Sequence, residues 1–246
     1  MHRSFENLWN SASPSGRTFD ARMLTRLPQG VGRYLKHVIA VGTPLASAVR
    51  LRMHGQIKLK RWYPFSAEQV ICWNRGFIWA AVVRMRGMQI RGSDSFVDGR
   101  GSMRWKLFGI LPIISASGPD VTRSAAGRVN IESVWLPSVL CDQNVRWTES
   151  DASHPHIRFT AHSETAEIDC LIDENGKLKA VSMPRWGNPD GTAFHCVNFG
   201  GFAEKERTFG GYTIPTQLRV GWHFGGDKFE SDGEFFRVTI DDAAYR

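Results

Sequence analysis

An α+β fold built on one large, curved antiparallel sheet is what this chain of 246 residues predicts. The first supporting observation is a long alternation. From Val49 to Lys60, Val49, Leu51, Met53, Ile57 and Leu59 share one parity, with Gly55 the only gap, while Arg50, Arg52, His54, Gln56, Lys58 and Lys60 share the other. Successive strand side chains point to opposite faces, so this strand has one dry face and one wet, cationic face. At about 3.3 Å per residue it reaches roughly 40 Å, well beyond the usual strand of about five or six residues. The second observation is that the C-terminal half is a succession of short strand-like runs parted by turn residues. The third is that only two segments show a helical period. Together they predict a half-barrel or open barrel of about ten strands, with two or three helices closing the concave face.

Residues 1–23 contain Ser, Asn, Pro and Gly without a period and read as a mobile tail. A single domain is expected from residue 24 to 246. Leu24 to Ile39 reads as a helix, because Val31, Tyr34, Leu35 and Val38 form one apolar stripe. Pro28 suits its first turn, and Gly42 with Pro44 stop it. After the long strand, Trp62-Tyr63-Pro64-Phe65 reads as a break, since Pro64 has no ladder donor. Ala67 to Trp73 and Phe77 to Arg86 are further strands. The second is apolar at both parities, so both its faces must be covered, by a helix or by a bound apolar molecule.

Met88–Val97 and Ser102–Phe108 form a hairpin around Asp98-Gly99-Arg100-Gly101. Pro119 to Val134 is the second helix, with Ser117 or Asp120 as its cap. Strands follow at 145–147, 156–162, 165–173, 177–183, 193–199, 202–209, 216–224 and 235–240. Phe-Gly-Gly occurs at Phe199, Phe209 and Phe224, and each is expected to end a strand and reverse the chain.

The formal charge is +7 and the pI about 9.5, which favours anionic partners such as phosphates, carboxylates or acidic lipid surfaces over cationic ones. Basic residues are scattered, and the cationic strand face lacks interleaved exposed aromatics, so no nucleic acid is expected as partner. The four cysteines are far apart, with no C-x-x-C pair, and no signal-like apolar run opens the chain. A cytoplasmic protein with reduced thiols is expected. No apolar stretch is long enough for a transmembrane helix. Nucleotide and nucleophile-elbow fingerprints are absent, so no cofactor is expected. His154, His156 and His162 have even spacing, but Pro155 interrupts them and the spacing is poor for a metal site. No metal is expected.

Nine Trp and an aromatic share of 11% supply a large apolar surface. Trp79, Met85, Trp105, Trp135 and Trp222 are expected to line a cavity between sheet and helices. Such apolar hollows with a few polar anchors are the usual ligand pockets. Ser124, Arg128 and Glu132 stack at four-residue steps. Either they form an exposed face held by an ion pair, or Glu132 lies under the sheet with Arg128 holding it. A buried carboxyl has its pKa raised toward neutrality and can carry a proton. Asp94 shares the inner parity of its strand with Phe96, where a backbone or arginine partner would satisfy it. Arg185-Trp186 opens a loop as a packed pair or as a clamp for an anionic or aromatic ligand. The expected ligand is an apolar or amphiphilic small molecule, neutral or anionic, with Arg128, Glu132 and Arg185 as polar anchors and Trp186 beside them. The alternative is a cofactor-independent isomerase, lyase or hydrolase with Glu132 as general acid or base, assisted by Asp94 or His195.

The order of pieces carries a resemblance. Leu27-Pro28, Arg33-Tyr34-Leu35, Trp62-x-Pro64-Phe65 and Gly76-Phe77-x-Trp79 are followed by Asp94, Asp98-Gly99 and Gly101. Then come Arg128-x-x-x-Glu132-x-x-Trp135-x-Pro137 and Gly211-x-x-Ile214-Pro215-Thr216. The chain resembles an uncharacterised bacterial domain family of unknown function over nearly all of its length after about residue 25. The resemblance implies a shared fold and no assigned activity. In shape alone, the expected architecture is similar to the half-barrel lipoprotein carriers, an analogy of fold and not of function.

Overall fold

A computed structural model of the chain describes residues 2–13 and 15–246. Three α-helices span His2–Asn10 (α1), Gln29–Val38 (α2) and Pro119–Ile131 (α3). The first meander of strands is β1 (Ala48–Lys58), β2 (Trp62–Cys72), β3 (Gly76–Met85), β4 (Met88–Val97), β5 (Arg100–Leu107) and β6 (Leu111–Ser117). The second is β7 (Arg146–Glu149), β8 (Pro155–Ala161), β9 (Glu164–Ile172), β10 (Leu178–Gly187), β11 (His195–Phe209), β12 (Tyr212–Trp222) and β13 (Glu234–Tyr245). All thirteen belong to one antiparallel sheet, ordered β6-β5-β4-β3-β2-β1-β13-β12-β11-β10-β9-β8-β7. Two sequential meanders are thus joined at one seam, where Val49 lies opposite Tyr245 and Ile57 opposite Phe236.

The sheet is rolled, and α3 is what it is rolled around. In β5, Gly101 N–H donates to Thr122 Oγ1 at 3.0 Å. In β10, Arg185 Nε donates to the Ser124 carbonyl at 3.1 Å. These two strands are eight spacings apart in the sheet order, or about 38 Å if the sheet were flat. Both touch neighbouring residues of one helix only about 10–12 Å across, which a flat sheet cannot do. A Cβ at Gly101 would lie 2.5 Å from Thr122 Cα, so glycine is required for this approach. The two arms also meet directly, with Phe96 packing on His162 at 5.1 Å and Trp73 on Phe159 at 5.6 Å between ring centroids.

β1 follows its alternation: Val49, Leu51 and Met53 are buried, and Arg52 and His54 are exposed. Arg50 and Arg52 point away from the core to Glu6, Glu68 and Asp242. α2 buries Val31, Tyr34, Leu35 and Val38, the stripe read from the sequence, and is entered through Pro28.

Several expectations are corrected. Thirteen strands stand where about ten were expected. β6 has no alternation to announce it. The runs 193–199 and 202–209 are one strand, because Phe199-Gly200-Gly201 does not turn. A Cβ at Gly200 would lie 2.4 Å from the Val181 carbonyl oxygen of β10, so close strand packing explains this glycine. The other two Phe-Gly-Gly sequences do turn, with φ of 56° and 89° at Gly210 and Gly211 and 78° at Gly225. The long strand does end before Trp62, at Lys58, but Trp62 to Phe65 is itself the start of β2 and not a gap between strands. Pairing with β3 starts only at Phe65, so Pro64 has no neighbour on that side needing its missing donor. Gly118, not Ser117 or Asp120, occupies the cap of α3.

The residues read as a mobile tail contain α1, which packs on the outer face of the sheet. Phe5, Leu8 and Ala12 form a second core with Ala48, Val70, Cys72 and Ile78. This is the cover that the doubly apolar β3 required, and a helix supplies it. Replacing Leu8, 2% exposed, by Ala is expected to cost about 2–4 kcal/mol in urea unfolding. An unchanged midpoint would mean that α1 contributes nothing to the fold.

Candidate functional site

Three charged side chains and an amide meet beneath α3. Arg128 Nε donates to Glu132 Oε1 at 2.7 Å, one helical turn on. Its Nη1 reaches Asp94 Oδ2 in β4 at 3.3 Å, and its Nη2 reaches Gln69 Oε1 in β2 at 3.4 Å. Gln69 Nε2 in turn donates to Glu132 Oε2 at 2.5 Å, and Trp105 Nε1 donates to Asp94 Oδ1 at 3.0 Å. The guanidinium lies 4.6 Å from the Phe77 ring and 5.2 Å from that of Trp79. Gln69 is fully buried and Glu132 is 8% exposed. Burial raises the Asp94 carboxyl above its ordinary range, against the opposing pull of Arg128 and Trp105.

This arrangement follows from local sequence. Asp94, Trp79 and Gln69 occupy one cross-strand row on the inner face, Trp79 opposite both Asp94 and Gln69. Gly92 gives Trp105 its place, since a Cβ there would lie 2.0 Å from the indole ring. The Arg128–Glu132 step is a helical i, i+4 pair, so the reading with Glu132 under the sheet is the one realised.

Arg185 is a second cation on this side of the sheet and, unlike the half-buried Arg128, it is buried. Its Nε and Nη2 donate to the carbonyl and hydroxyl of Ser124, at 3.1 and 3.4 Å. Its guanidinium stacks 4.4 Å from Phe199 and 5.0 Å from Trp222. Burial and the like charge of Arg128 pull it down to about 9, still protonated at neutral pH. Ser124 therefore serves Arg185 and not the Arg128–Glu132 pair.

The structure gathers Asp94, Glu132, Arg128 and Arg185, together with Trp79, Trp105 and Trp222. Trp79 and Trp105 are 2% and 8% exposed, their rings 5.7 Å apart. Trp135 is also buried, its Nε1 donating to the Pro215 carbonyl at 3.1 Å. That bond joins the Arg128–Pro137 segment to the Gly211–Thr216 segment, the two most specific parts of the resemblance. Two residues fall outside the cluster. His195 is exposed and bonds the Ala193 carbonyl. Trp186 bonds Asp120 and carries Arg123 over its ring at 4.2 Å, so its stacking partner is not the adjacent Arg185. The three evenly spaced histidines do not converge: His154 binds Asp151, His156 binds Asp169, and His162 packs on Trp73 and Phe96. Gln69 and Phe77 were not anticipated. The available signal for Gln69 was one amide in the apolar row of Phe65, Ala67 and Ile71.

The inner face is not covered along its whole length. Each central strand passes from buried to half-exposed toward the same end: Met53 to Ile57, Phe65 to Tyr63, Val83 to Met85, Val238 to Phe236, and Leu218 to Trp222. The result is an apolar floor whose residues at one end of the roll are only partly buried. Next to it, Glu234 is 2% exposed and accepts from Arg219 Nη2 at 2.7 Å and Arg237 Nε at 2.5 Å. Burial alone would raise its carboxyl, but these bonds outweigh burial and hold it at about 2.

A model of a family of unknown function, DUF6920, matches residues 25–245. The chain belongs to this family. No curated protein matches this DUF6920 member by sequence. Among solved structures it is similar to a LolA superfamily protein, NE2245, from Nitrosomonas europaea. Identity is 8%, coverage 88% of this chain and 92% of that one, and the TM-score 0.46. It is also similar to a putative outer membrane lipoprotein-sorting protein domain from Vibrio parahaemolyticus, at 7% identity, 81% and 86% coverage and a TM-score of 0.43. Among the described residues no helix is long and apolar enough to cross a membrane.

Replacing Arg128 by Met strands the buried Glu132 and the half-buried Asp94 and is expected to cost about 3 kcal/mol by urea unfolding. A loss below about 1 kcal/mol would show that the network does not hold α3 to the sheet. Glu234 predicts a pH dependence. Its folded pKa, about 2, lies below the ordinary 4.5. Its stabilisation is therefore present above pH 4.5 and lost as pH falls toward 2. Screening by its half-exposed partners limits this to about 2 kcal/mol. The Glu234→Gln variant should be less stable than the parent by that amount at neutral pH and converge with it at the acid end.

Proposed function

We propose that this protein binds an apolar or amphiphilic molecule on the inner face of its sheet, at the uncovered end of the roll. The observation that carries this reading is the graded opening of the inner rows. Ile57, Tyr63, Met85, Phe236 and Trp222 continue the core's apolar surface but remain accessible. Apolar floors with a few placed polar groups are the common form of small-molecule sites. Arg185, stacked on Trp222, supplies a cation beside this floor for an anionic head group. In this reading the contact residues are Met85 and Trp222 from the expected set. Trp79, Trp105 and Trp135 form the packed wall behind them, and Arg128 with Glu132 fixes that wall.

One observation favours a second reading, chemistry without a cofactor on the same bound molecule. Asp94 is a half-buried carboxyl set between Arg128 and Trp105, and its surroundings hold it above its ordinary range, as a proton carrier requires. An isomerase, lyase or hydrolase would use Glu132 as general acid or base with Asp94 assisting. The Glu132→Gln variant separates the two readings, by retaining affinity and losing turnover if chemistry occurs.

Fluorescence titration with 1-anilinonaphthalene-8-sulfonate and with palmitate tests the binding reading. Both should bind the native protein, and Trp222→Ala or Phe236→Ala should weaken them about tenfold, the equivalent of about 1.4 kcal/mol of lost apolar contact. Absence of binding, or binding indifferent to both substitutions, would overturn it.

A further inference from the structure

Three successive hairpin tips lie at one end of the sheet. They join β1 to β2 at residues 59–61, β3 to β4 at 86–87 and β5 to β6 at 108–110. The antiparallel registers align them, with Ile57 opposite Tyr63, Met85 opposite Met88 and Leu107 opposite Leu111. Each tip presents bare apolar surface: Leu59 is 44% exposed, Met88 42%, Phe108 57% and Ile110 81%. Edge strand β6 extends it with Leu111, Ile113 and Ile114, at 62%, 51% and 45%. Seven of the ten large hydrophobic residues exposed among the described residues thus sit in this one corner. Scattered exposed apolar residues are ordinary, whereas a contiguous set marks an interaction surface.

Cations surround the same corner. Lys60, Arg61, Arg84, Arg86, Arg91, Arg104 and Lys106 are all exposed, and among the described residues none is paired with a carboxylate. Between residues 69 and 119 the only acids are Asp94 and Asp98. Asp94 is engaged beneath α3 by Arg128, and Asp98 at the opposite strand end by Arg75. The acidic side chains Asp227, Glu230 and Asp232 follow β12 and restrict any anionic partner to the β2–β6 side of the sheet.

A row of projecting tips with flexible apolar side chains and a collar of free cations does not form a groove of fixed shape. It fits a fluid layer whose surface is anionic and whose interior is apolar. Apolar side chains then enter the acyl boundary while Lys and Arg remain among the head groups. Pro112 removes a donor from the free edge of β6, which works against pairing with a second copy of the chain. We propose that these three tips dock the protein on an anionic lipid bilayer. This surface adjoins the open end of the apolar floor but shares no residue with it, and the proposal does not depend on the ligand reading above.

Co-sedimentation with vesicles of mixed phosphatidylglycerol and phosphatidylcholine, against phosphatidylcholine alone, tests the proposal. The protein should sediment with the anionic vesicles, weakly with the neutral ones, and less as salt is raised. F108S/I110S and R86E/R91E should each weaken vesicle binding by about tenfold or more, two independent changes at exposed positions. I110S alone, with circular dichroism melting as a folding control, keeps the test valid if a double variant misfolds. F108W should show a blue-shifted emission only with anionic vesicles, whereas W222A in the apolar floor should leave vesicle binding unchanged. No sedimentation with anionic vesicles, or sedimentation indifferent to both double variants, would overturn the proposal. So would light scattering that shows the native protein self-associating through these tips while F108S/I110S stays monomeric.

Discussion

Arg128 is where helix and sheet become one object. Its planar fork bonds a carboxylate on its own helix, a carboxylate on β4 and an amide on β2, and its face rests on two aromatic rings. A guanidinium that is largely withdrawn from water is tolerable only when its donors are matched. Matching them demands that β2, β4 and α3 approach within one side chain's reach. The tight roll of the sheet is therefore tied to the satisfaction of this network, and Gly101 and Gly92 remove the Cβ atoms that would obstruct it.

The roll also determines what remains open. One end of the inner face is filled by α3 and by the segment through Trp135 to Leu140, whose indole bonds the start of β12. The central strands run past that filling, so their last inner-facing residues are only partly buried. The fold thus divides a single apolar surface into a packed core and an accessible remainder. Trp222 spans the division: its ring meets Phe199 at 4.9 Å on one side and remains half-exposed overall.

Much of this was legible in the sequence where local rules decide. The alternation of β1, the stripe of α2, the Arg128–Glu132 step and the inward parity of Asp94 all depend on period alone. What was missed depends on partners distant in the chain. Gln69 reads as a defect in an apolar row until Glu132 and Arg128 are brought to it. Phe199-Gly200-Gly201 has the same turn chemistry as its two counterparts, yet the neighbouring strand requires the glycine and no turn forms. The N-terminal segment shows no long period, and its helix becomes intelligible only once Val70 and Ile78 are seen to need a cover on the outer face. Arg185 and Trp186 are adjacent in sequence but point to opposite sides of a strand, so they belong to different neighbourhoods.

The seam between β1 and β13 has a bearing on how the molecule assembles. Every other ladder pairs strands that follow one another in the chain, and such contacts close short loops quickly. The seam alone joins the first strand to the last, across all the chain between them. Two ladders can zip up independently, but the roll is complete only when they meet there. Until β13 has emerged from the ribosome, one edge of β1 presents unpaired backbone, and that interval is when a nascent chain is most exposed to wrong partners.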